Sequence, residues 1–140
     1  MTPFAVQRGH IPKTVLKTFH AMVAMVRDMP DFDFGAKYLS CHALCQSLAR
    51  YYPVSYHEGR CGAVDHGWLR SLTHPAVLMD MYPVGGGVPF ILFTDNCFLP
   101  WQDLYQEVAI SYDINAHEVQ VAVVSHHFES IQALTENASP

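Results

Sequence analysis

His66-Gly67-Trp68-Leu69-Arg70-Ser71-Leu72-Thr73-His74-Pro75-Ala76-Val77-Leu78-Met79-Asp80 reads as two strands and the turn that joins them. Residues 66–72 and 76–82 are short runs rich in strand-favouring side chains, and Thr73-His74-Pro75 is short enough to close them into an antiparallel hairpin. Side chains alternate along a strand, so His66 and Trp68 share one face and Gly67 takes the other. If the chain folds about Thr73 or His74, residues 80–82 come opposite His66, at the roughly 5 Å separation of paired positions. Asp80 is the lone carboxylate in the apolar run Ala76-Val77-Leu78-Met79-Asp80-Met81-Tyr82. An unpaired charge in such a strand is costly, and the partner the hairpin offers is His66. A structural Asp80, accepting hydrogen bonds from backbone or tyrosine, is the alternative.

Outward from the hairpin, residues 54–58 and 88–94 supply two further strands, with Gly85-Gly86-Gly87 giving backbone freedom for the reversal before the last. The glycine triplet lacks the Lys-Ser/Thr and the strand-to-helix setting of a phosphate loop. Upstream the spacing is helical: Val15, Leu16, Phe19, Met22, Val23 and Val26 recur at three- and four-residue steps after Pro12, and residues 39–52 form a second periodic stretch that stops at Pro53. Downstream, Pro100 and Trp101-Gln102-Asp103-Leu104-Tyr105 suggest a short helix. Val119, Val121 and Val123 alternate like a strand, but Val121, Val124, Phe128, Ile131 and Leu134 follow helical spacing over a longer window, and we take the helix. The expectation is a single α+β domain over residues 1–140, with an antiparallel sheet of about four strands packed against helices.

The second helix carries the candidate nucleophile. Ser40 is a natural N-cap, which places Cys41 in the first turn, where unpaired backbone amides create partial positive charge. A thiol there is favoured as thiolate, the form that attacks. Against this, Cys41, Leu44, Leu48 and Tyr51 fall on one stripe, and cysteine is commonly buried as plain packing. Cys45, a turn deeper, is the better candidate for packing. A thiolate, a general base and an orienting acid then converge as Cys41, His66 and Asp80. Trp68, beside the imidazole, and Tyr38, before the helix, are candidate substrate-binding residues. Tyr38 and Gln46 are also candidates for a second oxyanion donor beside the Cys41 amide.

The order Cys41, then a strand from Val54 ending at Gly59, then His66-x-Trp68-Leu69, then Val77-Leu78-Met79-Asp80 resembles the transglutaminase-like branch of the papain-like cysteine hydrolase superfamily. The similarity covers about residues 38–90. It implies a papain-like/transglutaminase-like core, a Cys41-His66-Asp80 triad and thiol-based acyl chemistry: cysteine protease, amidase, deamidase or transglutaminase-like transfer. It implies no cofactor and no metal, and a peptide, a protein or a small amide as substrate. The family commonly has Gly before the nucleophile, a longer stretch between it and the next strand, and Pro-Thr after the Asp; here stand Ser40, a helix about a turn shorter, and Met81-Tyr82-Pro83. These differences leave the substrate class open, along with an inactive protein on the same scaffold.

Composition narrows the partners. The net charge is -5 with 8 basic residues and no Lys/Arg cluster, which gives no electrostatic footprint for nucleic acid or an anionic membrane surface. No stretch approaches about 18 apolar residues and the first residues lack a signal-peptide pattern, so a cytoplasmic protein with free thiols at 41, 45, 61 and 97 is expected. Two other classes compete. Cys41, Cys45, His57, Cys61 and His66 supply enough ligands for zinc, although Cys41-x3-Cys45 lies within a helical stripe and not on a knuckle. A non-catalytic interaction protein would use Tyr51-Tyr52, Trp68 and Trp101 for packing and surface patches alone.

Overall fold

The computed structural model describes residues 4–6, 11–27, 40–81, 88–94, 104–109, 118, 121–122, 124–126 and 128–130. Tyr38, Gly85-Gly86-Gly87, Cys97 and Trp101 lie outside the described residues.

Helix α1 (Lys13–Arg27) begins where the Pro12 carbonyl accepts from the amides of Val15 and Leu16, both at 3.1 Å. Its apolar stripe buries Val15, Phe19, Met22, Val23 and Val26. Helix α2 (Cys41–Tyr51) starts at Ser40, whose hydroxyl accepts from the His42 amide at 3.0 Å. It stops one residue before Tyr52, since Pro53 has no amide to continue the ladder. The capping hydroxyl and the proline thus fix where Cys41 stands.

Six strands follow the order β1-β5-β4-β3-β2-β6. They are β1 (Phe4–Val6), β2 (Val54–Cys61), β3 (Val64–Ser71), β4 (Val77–Asp80), β5 (Phe90–Phe93) and β6 (Tyr105–Glu107). Every pairing is antiparallel except β1 on β5, so five strands form an antiparallel array and β1 adds a parallel edge. The α+β class matches the sequence reading; the count of about four strands does not. The two strands it lacks, β1 and β6, have three residues each, too few for a period-two pattern to show. Tyr105, expected at the end of a short helix, opens β6.

The turns are made by side chains as well as backbone. Gly62 takes a left-handed φ of 64° between β2 and β3, a conformation that favours glycine. Between β3 and β4, Ser71 Oγ accepts from the His74 amide at 3.2 Å, and Arg70 Nη1 donates to the Pro75 carbonyl at 2.9 Å. These bonds pin the hairpin that brings Asp80 back beside β3.

Alternation divides the core between two sheet faces. Leu69, Val77, Met79 and Ile91 meet Phe19, Met22, Leu44 and Leu48 of the helices, together with Val124 and Phe128. Val121, Val124 and Phe128 are helical and buried, as their spacing predicts. Trp68, Leu78, Leu92 and Tyr105 form a smaller cluster on the opposite face. All four residues of β4 are buried, so Asp80 ends a strand with apolar matter on both sides.

Candidate active site

The hairpin register sets the central pair. Leu69 faces Met79 and Arg70 faces Leu78. Extending that register by one residue sets Asp80 opposite Trp68, so His66 and Asp80 are diagonal neighbours on one face, the outcome of a fold about His74 and not about Thr73. Diagonal neighbours are within reach of an aromatic side chain. His66 Nε2 donates to Asp80 Oδ2 at 2.8 Å, with the two side chains at 2% and 1% exposure.

Cys41 reaches this pair because Gly67 lets α2 approach β3. A Cβ on Gly67 would lie 3.0 Å from His42 Nδ1, 3.2 Å from Tyr56 Cε1 and 3.3 Å from His42 Cα. A side chain at position 67 would require His42 and Tyr56 to give by a few tenths of an ångström. The Gly67 amide donates to Cys41 Sγ at 3.3 Å, and Cys45 Sγ donates to the Gly67 carbonyl at 3.7 Å. Two thiols one turn apart therefore hold both polar groups of the residue between His66 and Trp68.

The electrostatics separate these groups. Burial is the largest influence on His66 and pulls its pKa down, but hydrogen bonds to Asp80 and Cys41, with the negative charge of both, outweigh it and raise the imidazole to about 9. Asp80 occupies Nε2, so the nitrogen that serves the Cys41 sulfur is Nδ1. Burial pushes the Cys45 thiol well up, and the charges of Cys41 and Asp80 add to it, which holds Cys45 as a neutral thiol. Cys61 is raised chiefly by burial and then by Asp80, against the neighbouring Tyr105 hydroxyl, which lowers it.

Two rings wall the imidazole. Trp68 stacks on His66 with ring centroids 6.2 Å apart and planes at 29°, and Tyr105 meets Trp68 edge-on at 5.2 Å and 73°. Trp68 is fully buried, and among the described residues its Nε1 has no hydrogen-bond partner. Tyr105 is the residue that sequence reasoning missed. Its hydroxyl donates to Asp80 Oδ2 at 2.6 Å, and burial, then the Asp80 charge, drives its pKa far above the ordinary phenol range. The only signal available was the reserved role for a tyrosine as a structural donor to Asp80, with no residue attached to it.

Other polar groups on these strands are engaged elsewhere. His42 Nδ1 bonds the Tyr56 hydroxyl at 2.6 Å. His57 bonds Ser55 Oγ through Nε2 at 2.8 Å and Glu107 Oε1 through Nδ1, on an open part of the sheet. The zinc alternative needs His57 and Cys61 beside Cys41, Cys45 and His66; among the described residues no three His, Cys, Asp or Glu side chains are grouped to hold a metal. Among the same residues no helix is long and apolar enough to cross a membrane.

The fold and site define a small α+β protein with a buried His-Asp pair and a helix-start thiol beside it. Comparison with protein-family models, with the curated proteins and with the solved structures found no match to this chain.

Proposed function

We propose that this chain is a thiol-dependent acyl-transfer enzyme with a papain-like/transglutaminase-like core, in which Cys41 is the nucleophile, His66 the proton carrier and Asp80 the group that orients the imidazole. The observation that carries the reading is the buried His66–Asp80 bond, with the Cys41 sulfur beside the ring and its amide in the first turn of α2.

An imidazole raised to about 9 is protonated at neutral pH and so carries the proton that the leaving group needs. The Cys41 sulfur attacks a carbonyl carbon of a peptide, protein or small amide, and the backbone amide of Cys41 steadies the oxyanion. The carbon–nitrogen bond breaks as the His66 Nδ1 proton passes to the leaving amine, leaving a thioester. Water or a second amine then attacks the thioester carbonyl while His66 removes its proton, and sulfur leaves with the product acid or amide released. Asp80 keeps Nε2 protonated throughout, so that Nδ1 alone exchanges protons with thiol and leaving group. Tyr38 is the residue proposed to meet the substrate, while Trp68, fully buried, walls the imidazole from behind.

Alkylation of the folded protein with a small haloacetamide, followed residue by residue by mass spectrometry, tests this. Cys41 is expected to react at least about tenfold faster than Cys45 or Cys61 below pH 7, and to lose that advantage in His66→Ala. Equal, slow reaction at all of them would remove the thiolate and the mechanism with it.

A further inference from the structure

We propose that Tyr105 is a positioning residue for the His66–Asp80 pair, its phenol governing how much of the Asp80 charge the imidazole feels. The positioning role rests on the acyl-transfer reading of Cys41, His66 and Asp80.

One carboxylate oxygen takes both donors. Asp80 Oδ2 accepts from His66 Nε2 at 2.8 Å and from the Tyr105 hydroxyl at 2.6 Å. The phenol is held in place: Tyr105 is 5% exposed, its ring lies edge-on to Trp68 at 5.2 Å, and it is tilted at 46° to the His66 ring at 6.2 Å. Its hydroxyl also meets Cys61, which bonds it from β2.

Sheet geometry explains how a residue on the edge strand reaches a carboxylate on β4. Tyr105 pairs with Cys61, while Gly59 pairs with His66 on one side and Glu107 on the other. Gly59 thus leaves no side chain between His66 and Glu107 in that row of the sheet. A Cβ on Gly59 would stand 1.9 Å from the Gln106 carbonyl oxygen, so only glycine admits β6 this close. The strand has three residues, and its first is spent on this contact.

The chemistry follows from the shared oxygen. A hydrogen bond from a phenol draws negative charge off a carboxylate, and the carboxylate is then a weaker acceptor for its other donor. Deleting the hydroxyl returns that charge to the imidazole, which then keeps its proton to higher pH. A more acidic phenol does the reverse. Among the described residues, the titratable groups facing His66 are Asp80 from β4, Cys41 from α2 and Tyr105 from β6, with Cys61 behind the phenol. Tyr105 has no contact with Cys41 or the substrate carbonyl in the proposed reaction, and it acts through Asp80.

The test is an NMR titration of the His66 ring in the full chain, for the natural protein, for Tyr105→Phe and for site-specific 3-fluorotyrosine at position 105, whose phenol is a stronger donor. The expected result is a pair of opposite shifts: proton affinity of His66 up by about threefold to tenfold in Tyr105→Phe, and down with 3-fluorotyrosine. A residue that only fills space gives no such opposed pair. No shift in folded Tyr105→Phe, or shifts of the same sign in both proteins, overturns the proposal. Should Tyr105→Phe not fold, the fluorinated protein decides alone: a lowered affinity supports the role and an unchanged one rejects it. Alkylation of Cys41 in the natural protein and in His66→Ala, run alongside, isolates the underlying reading. If His66→Ala leaves that rate unchanged, the catalytic reading falls and the positioning role falls with it, while the titration still reports whether the phenol tunes the imidazole.

Discussion

His66 bonds Asp80 with side chains 2% and 1% exposed, whereas His57 bonds Glu107 with side chains 26% and 55% exposed. The two pairs lie on the same face of the sheet, since Gly59 stands opposite both His66 and Glu107, and His57 stands opposite Trp68. Chemically they are the same interaction, and what divides them is solvent. Water screens the outer pair and can replace either partner, so breaking it is cheap. The inner pair is walled by Trp68 and Tyr105 and is closed to the water that would stand in for a lost carboxylate. Even the serine at the outer pair, Ser55 on His57 Nε2, gives it a chain of three polar residues like that of a hydrolase. It lacks the enclosure that makes such a chain more than a solvated network.

The largest difference between the two pairs should appear when each carboxylate is removed in turn. Asp80→Ala leaves His66 and the Tyr105 hydroxyl buried without their acceptor and is expected to cost about 3–5 kcal/mol of unfolding free energy. Denaturant titrations of Asp80→Ala and Glu107→Ala side by side check it. Losses of equal size would mean that burial does not distinguish the two pairs.

A pH titration of stability sharpens the same contrast without mutation. The folded pKa of His66, about 9, lies above the ordinary unfolded value near 6.5. Its contribution is therefore fully present below about pH 6.5 and is lost as pH rises through 9, for a total of about 3 kcal/mol. Unfolding free energy measured from pH 6 to 10 should fall across that window in the natural protein. In Asp80→Asn the fall should flatten, because the main source of the raised value is gone; an unchanged slope would assign the effect to another group.

Gly67→Ala tests how the thiol is brought to the inner pair. The added methyl meets His42 and Tyr56 at 3.0–3.3 Å, which is expected to cost about 1–3 kcal/mol and to lift the start of α2 from β3. Alkylation of Cys41 should slow at the same time. Loss of stability with no change in Cys41 reactivity would show that the Gly67 contact does not place the sulfur.

The two pairs also differ in how far they can be read from the chain. Asp80 stands out because it interrupts an apolar run, and the three-residue turn before it puts His66 within reach; a burial penalty and a hairpin suffice. Ser40 and Pro53 mark both ends of the helix that carries Cys41. The exact pairing was not readable, since a turn of that length admits more than one register, and the structure makes the contact diagonal. Strands β1 and β6 left no periodic trace at three residues each. With β6 went Tyr105, whose partner Asp80 is 25 residues away in sequence and three strands away in the sheet. Local pattern carries no information about a contact of that kind. Gly59 and Gly67 look alike in the sequence, and only packing shows that one admits β6 and the other α2.

The smallest expected effect belongs to the outer pair and is the sharpest test of the reasoning. Glu107→Gln removes the charge facing His57 but keeps a carbonyl oxygen able to accept from Nδ1. Exposed pairs of this kind contribute about 0.2–1 kcal/mol, and salt screens them. Stability of the natural protein and of Glu107→Gln should therefore differ by under about 1 kcal/mol at low salt and converge at 1 M, where the screening length is about 3 Å. Asp80→Ala should keep its full deficit in the same salt series, because its charge is out of the solvent. A deficit in Glu107→Gln that survives high salt would show that Glu107 holds β6, and Tyr105 with it, through more than charge. The outer pair would then be a support of the inner one and not its solvated counterpart.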